Sequence, residues 1–217
     1  MIQNFIPVVA YHDRSPRPGE QEGVDYYFRS RTFIEALRKK KDFVVMEVRR
    51  DLVALDLKEL IGNLKRGHVF YEGNAYVATS LLTHPSLKQI PTLSVFLSPL
   101  SKEEIQFFKT QKERFSLEAL ITEIMRRKLL KRTQRQKGCL SLKDLKTIEV
   151  RAQSAFVEIQ KAYQFEHVIV NHDGEDSEHW DAFYYPIGDA RKTLLTFIDL
   201  LQKGKGASAE TWEKDLL

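Results

Sequence analysis

The residues best suited to chemistry lie near the amino end, in Arg14-Ser15-Pro16-Arg17-Pro18-Gly19-Glu20, followed by Gly23-Val24-Asp25-Tyr26-Tyr27-Phe28. Two arginines three positions apart, in a loop stiffened by prolines, present planar guanidinium forks that grip phosphate oxygens bidentately at small entropic cost. Tyr26 adds a hydroxyl donor. The commoner fate of loop arginines is to be solvated or paired with a nearby acid, here Glu20 or Asp25. A second concentration of charge, Arg126, Arg127, Lys128, Lys131, Arg132, Arg135 and Lys137, contains no acid and reads either as an anion clamp or as a solvated helix face. A third is acidic: Asp173, Glu175, Asp176, Glu178 and Asp181. Its spacing is neither that of a calcium loop nor that of a zinc helix, so it reads as a solvated turn, well separated from the basic stretch.

The elements that must position these residues alternate between strand and helix. An apolar run at 5–11 predicts a strand, and 12–24 a loop punctuated by Pro16, Pro18, Gly19 and Gly23. Tyr26–Phe28 begins a second strand. Ser30 suits the cap of a helix to about 40, strands follow at 43–48 and 52–55, and Asp56 caps a helix whose Leu57, Leu60, Ile61 and Leu64 share a face. A strand at 68–71 and a helix at 75–82 precede an apolar run at 93–97, of the kind buried on both faces of a parallel sheet. Ser101 and Glu104 form a capping-box start. Helices are predicted over 117–135, 142–163 and 189–202, with a strand at 167–170 between the last two, and a flexible tail at 204–217. This alternation predicts an α/β fold with helices layered on a sheet.

Composition narrows the class. The 217 residues are 42% apolar, with 10 Gly and 7 Pro, which suits a globular chain able to bury roughly 70% of its unfolded surface without staples. The net charge of +4 is too mild for a dedicated nucleic-acid binder, and no aromatic stacking platform accompanies the basic stretch. No apolar run approaches the roughly 20 residues that span a bilayer, and the start MIQNFIPVVAYHD lacks a basic leader and a cleavage site, so the sequence reads as cytoplasmic. The single cysteine, Cys139, reads as an inert thiol, and no metal-ligand spacing surrounds it.

The arginine–tyrosine run resembles the signature of guanylate kinases, in which two arginines and a tyrosine of such a loop hold the phosphate of a nucleoside monophosphate. The resemblance continues in order through Ser94-Val95-Phe96-Leu97-Ser98-Pro99-Leu100-Ser101 with Glu103-Glu104, then Arg151, Ala155 and Glu158-Ile159, then Phe165-Glu166-His167-Val168-Ile169-Val170-Asn171. It covers about residues 5–171. It implies a three-layer fold of the P-loop nucleoside monophosphate kinase class, with a parallel core sheet, a small mixed nucleotide-binding subdomain at about 12–90, and a helical lid with an added helical segment at about 109–150, all in one domain over 1–203. By the same resemblance Arg14, Arg17 and Tyr26 hold the acceptor phosphate. Arg132 and Arg135 stand where the lid arginines clamp the transferring group, and Arg151 matches a further phosphate-facing arginine. The family uses ATP and magnesium and acts on GMP. Phosphoryl transfer of this kind depends on positioning and positive charge around the equatorial oxygens more than on a proton-transfer group.

The chain departs from that pattern in two places. The glycine-rich loop G-x-x-x-x-G-K-[ST], which cradles donor phosphates, does not occur in these residues, and the first βα unit is expected to be missing. Gly188-Asp189-Ala190-Arg191-Lys192-Thr193 has the wrong spacing and reads as a helix start favoured by Asp189. The guanine pocket is also altered. Val45 stands in place of an acid on the strand after the first helix, Asn74 or Ala75 in place of a loop aspartate, and His12 and Asp13 in place of a threonine pair. Glu47, Glu72 and Asn74 are the remaining candidates for contacting a base. Two functions follow: a kinase acting on a nucleoside monophosphate when a donor loop is supplied, or a binding module whose phosphate-holding surface grips a phosphorylated or acidic partner. The segment 115–125 carries Leu117, Leu120, Ile121 and Ile124 at helical spacing and is expected to pack on the core.

Overall fold

A computed structural model describes residues 5–17, 19–111, 113–114 and 116–217. Residues 1–4, Pro18 and Phe115, on which parts of the leader, loop and insertion readings fall, lie outside the described residues. The chain divides into two compact units, Met1–Leu81 and Leu82–Leu217. Within each unit strands and helices alternate, which bears out the mixed α/β class. Among the described residues parallel pairing occurs in short ladders rather than in one broad core sheet.

In the first unit the strand expected at 5–11 is two strands. The first, β1 (Phe5–Pro7), pairs in parallel with β6 (His68–Phe70), and β2 (Ala10–His12) joins a different sheet. The Val8 N–H, donating to the Phe70 carbonyl at 2.9 Å, adds the last bond of the first ladder beyond Pro7. The second sheet has the order β3-β2-β5-β4, formed with β3 (Tyr26–Phe28), β4 (Phe43–Val48) and β5 (Asp51–Asp56). It is mixed: β2 and β3 run parallel, whereas β5 runs antiparallel to both β2 and β4.

β5 is the spine of this unit because it is covered on both faces. Leu52 and Ala54 pack with Ile34 and Leu37 of α1 (Arg31–Leu37), while Val53 and Leu55 pack with Ala10 and with Val77 of α3 (Ala75–Thr83). The pleat sends alternate side chains to opposite faces, so a strand buried on both reads as an unbroken apolar run. Ser30 and Asp56 cap α1 and α2 (Leu57–Leu64) through bonds accepted from the Phe33 and Glu59 N–H groups.

In the second unit β7 (Val95–Ser98) and β8 (His167–Val170) pair in parallel. The capping box at Ser101 opens α4 (Lys102–Thr110), with Glu104 returning the bond, and a second box at Ser141 and Asp144 opens α6 (Leu142–Ile159). The predicted packing segment and the basic stretch form one helix, α5 (Leu117–Lys137), whose Ile121 is fully buried among Leu100, Ile105, Ala155, Ile159 and Val168. The last helix is α7 (Gly188–Lys203). Among the described residues no helix is long and apolar enough to cross a membrane.

The tail expected to be flexible at 204–217 is seated. Glu210 exchanges backbone hydrogen bonds of 2.7 and 2.8 Å with Val168, and Trp212 and Leu216 are buried in the same core as Ile121. The Glu210 carboxylate accepts from the Trp212 indole N–H at 2.7 Å and from the Lys102 N–H that opens α4 at 2.9 Å. Sparse apolar residues gave the segment a disordered appearance, but two large ones placed beside β8 suffice to anchor it. Trp212→Ala is expected to lower the unfolding free energy by about 3 kcal/mol, the usual cost of emptying a buried aromatic site. Urea denaturation checks this, and an unchanged midpoint would show that the segment is not part of the core.

Candidate anion-binding site

The parallel register of β2 and β3, Ala10 against Tyr26 and His12 against Phe28, brings two aromatic rings beside the chain that leaves β2. The Arg14 guanidinium carbon lies 5.0 Å from the Tyr26 ring centre and 5.6 Å from that of Phe28. Its two terminal nitrogens donate to the Glu20 carboxylate at 2.6 Å each, and Nη1 also donates to the Ser15 carbonyl at 3.0 Å. Glu20 Oε2 further accepts the Arg17 backbone N–H at 2.7 Å, so one carboxylate fixes both arginines of the loop. The Arg17 carbonyl accepts the Glu20 N–H across a turn in which Gly19 adopts φ +88°, a conformation that glycine enters without strain. Burial alone would raise the Glu20 carboxyl. The bonds from Arg14 and the Arg17 backbone outweigh it and hold Glu20 below the usual carboxylate range.

For Arg14, then, pairing with a neighbouring acid is what the structure shows. That pairing takes the terminal fork and leaves Nε–H and the second Nη2–H unused by Glu20 and Ser15, and these form the lateral fork of the guanidinium. The Tyr26 side chain also hydrogen-bonds Arg14, so an anion reaching that fork without breaking the Glu20 pair would meet Arg14 and Tyr26 together.

His12 belongs to this site, a role that sequence reasoning did not assign. It is 9% exposed, its ring stands edge-on to Tyr26 at 5.2 Å, and its Nδ1 accepts the Arg14 backbone N–H at 3.2 Å. Burial, reinforced by the Arg14 charge, lowers its pKa to about 4. The ring is therefore neutral at neutral pH, with its proton on Nε2, because Nδ1 is the acceptor. Asp13 acts as a structural tie: Oδ1 accepts the Leu52 N–H at 2.8 Å and Oδ2 accepts from Arg31 at 3.0 Å. The base-contact candidates fare differently. Glu47 pairs with Arg31 at 3.4 Å, Asn74 Oδ1 accepts the Tyr76 N–H at the start of α3, and Glu72 is exposed between β6 and α3.

In the second unit the acidic loop is not a solvated turn, and the basic stretch is not separate from it. Lys128, Arg132 and Arg135 recur at helical spacing along α5 and meet the loop over 171–181. Lys128 Nζ donates to the Asn171 carbonyl at 2.8 Å, Arg132 pairs with Glu175, and Arg135 pairs with Asp181 at 3.0 Å and donates to the Asp176 carbonyl at 3.3 Å. Desolvation lowers Lys128 to about 8, with the Asp173 charge opposing it. The spacing of 43 residues between Arg132 and Glu175 hid this complementarity from any local reading. Arg151 lies half-buried on α6.

The same loop supplies the cap expected from Asp189. The residue before α7 is Ile187, which makes no side-chain cap, and Asp173 Oδ2 instead accepts the Ala190 N–H at 2.9 Å. Asp189 sits in the first turn and holds His172 Nδ1 at 2.9 Å, while His172 Nε2 meets Glu104 at 2.9 Å. A neutral imidazole donates from one nitrogen only, so two carboxylate partners call for the imidazolium. Burial lowers the His172 pKa, but the bonds to Glu104 and Asp189 outweigh it and raise it overall.

No protein-family model matches this chain, and no curated protein matches it. Among solved structures it is similar to a guanylate kinase from Anaplasma phagocytophilum, with 18% identical residues, 94% of this chain and 80% of that chain covered, and a TM-score of 0.49.

Two titrations test the electrostatics. The His12 ring is expected to titrate near pH 4 in histidine NMR spectra, and a midpoint near 6.5 would contradict its burial beside Arg14. For His172 the folded pKa is raised, so its stabilisation is full below about 6.5 and is lost as pH rises through the folded value. The melting-temperature advantage of the native chain over His172→Gln should therefore shrink between pH 5.5 and pH 9, and an advantage that does not change with pH would rule out the imidazolium bridge.

Proposed function

We propose that this protein is a guanylate kinase-like binding module in which Arg14, Arg17 and Tyr26 seat the phosphate of a nucleoside monophosphate. The observation that carries this reading is the guanidinium of Arg14, braced against Tyr26 and Phe28, with its terminal fork on Glu20 and the Tyr26 side chain as a further partner. A guanidinium so oriented has lost its freedom before any ligand arrives, which lowers the entropic cost of binding a phosphate. Neutral His12 contributes an Nε2–H donor without adding charge.

A kinase reading uses the same seat as the acceptor site for GMP, with ATP as donor and magnesium, and it needs a glycine-rich loop that these residues do not contain. Magnesium in that reading would be held by the hydroxyl of the glycine-rich loop and the donor phosphates; among the described residues no group of three or more His, Cys, Asp or Glu is placed to hold a metal ion. Arg132, Arg135 and Arg151 remain the candidates for a lid role in that reading. Arg132 and Arg135 would first have to leave the acidic loop. The binding reading asks nothing of them.

Guanine presents two donors from N1 and N2, and a site discriminates strongly only when it supplies the matching acceptors. Val45 has none, and Glu47 is engaged by Arg31. Isothermal titration is expected to show GMP and AMP binding within about tenfold of each other, with both weakened at least about tenfold by Arg14→Ala, as expected for loss of a charge-assisted phosphate contact. The chain is expected to form no ADP from ATP and GMP. Unchanged GMP binding by the Arg14→Ala protein would refute the phosphate seat, and turnover above background would refute the binding-module reading.

A further inference from the structure

At one end of the first unit's mixed sheet, strands β2 and β4 exit and β5 enters, because β5 runs antiparallel to both neighbours. Asp13 donates its N–H to the Leu52 carbonyl, and Val48 stands opposite Asp51, so Arg14, Asp51 and Val48 are level across three adjacent strands. Arg14 and Arg17 follow β2, Arg31 opens α1 after β3, and Arg49 and Arg50 form the tip between β4 and β5. Consistent with this placement, the Asp51 carboxyl, raised overall by burial and by Asp13, feels the opposing charges of Arg14, Arg17 and Arg31.

The tip is unusual. Arg49 and Arg50 have φ of 51° and 76°, the left-handed conformations of a two-residue hairpin turn that Asn-Gly fills without strain. Arginine in that region is disfavoured by its Cβ, and such strain persists where surrounding structure imposes it. Here the two-residue link between the paired Val48 and Asp51 imposes it, and Arg31 braces it, donating to the Arg50 carbonyl at 2.9 Å while also bonding Asp13 at 3.0 Å. The Arg50 side chain itself is exposed. The acids at this end are Asp13, Glu20, Glu47 and Asp51. Asp13 and Glu47 are met by Arg31 and Glu20 by Arg14.

We infer that the anion site continues from Arg14 across Arg31 to Arg50 and takes a ligand bearing two phosphoryl groups, one at the Arg14 seat and the second at the hairpin tip. This rests on the phosphate seat proposed above. Arg14 and the tip are between one and two strand spacings apart, roughly 5–10 Å, a gap that arginine side chains close from both sides onto phosphates joined through one ribose. Asn-Gly, the relaxed choice for this turn, would present no cation there.

Calorimetry on the whole chain with guanosine 5′-monophosphate and guanosine 3′,5′-bisphosphate tests this. The bisphosphate is expected to bind at least about tenfold tighter, the gain of one additional charge-assisted contact. Arg50→Ala, and separately the double substitution Arg49→Asn with Arg50→Gly, should remove that advantage and leave monophosphate binding unchanged, and the double variant should melt no lower than the native chain because its turn is relaxed. Equal binding of the two nucleotides by the native chain, or an advantage that survives Arg50→Ala, would overturn the extension while leaving the seat in place. Failure of both nucleotides to bind, or Arg14→Ala leaving both affinities intact, would overturn the seat and the extension together.

Discussion

The first unit depends on one carboxylate. Glu20 holds the fork of Arg14, takes the backbone N–H of Arg17 and closes the turn through Gly19, so the loop's shape and its positive charge are set by the same group. An arginine pair without it would be a mobile cation on a flexible loop, and ordering it would fall to the ligand. With it, the Arg14 and Glu20 side chains are largely shielded, at 13% and 16% exposure, and the Arg14 guanidinium is held against Tyr26 and Phe28. His12 is neutral chiefly because burial disfavours its charge, and the neighbouring Arg14 guanidinium adds to that cost, with Asp13 and Glu20 opposing it. A site of this kind selects for anionic charge and for the geometry of the fork, and it places little demand on the rest of the ligand.

The second unit solves a different problem with the same chemistry. A helix carrying Lys128, Arg132 and Arg135 on neighbouring turns would repel itself and leave its cations to solvent. The loop over 171–181 neutralises it, caps α7 through Asp173 and ties α4 to α7 through His172. The individual pairs are largely exposed and each contributes little. Their joint effect is to give an irregular segment a defined path, and Trp180 reinforces it by donating to the Gly174 carbonyl at 2.6 Å.

The local elements were legible in the sequence because they rest on local signals. The capping box at Ser101, the caps at Ser30 and Asp56, and the apolar stripe that buries Ile121 follow from spacing alone. The pairing of Arg14 with Glu20, six residues apart, was among the alternatives that the loop composition offered. Contacts between distant segments could not be read in this way. Arg132 with Glu175 and Glu210 with Val168 each depend on how the chain returns on itself. A terminal segment with few apolar residues looks disordered until a groove exists to receive Trp212 and Leu216. The division of the strand at 5–11 likewise depends on β1 and β2 finding different partners, which periodicity does not encode.

The most direct test of the phosphate seat watches the guanidinium itself. In the arginine side-chain 15N–1H spectrum of the labelled protein, addition of GMP is predicted to shift the Arg14 Nε–H resonance progressively to saturation, because the lateral fork is where the phosphate arrives. An Arg14 Nε–H signal that stays in place at GMP concentrations saturating any other spectral change would contradict the account.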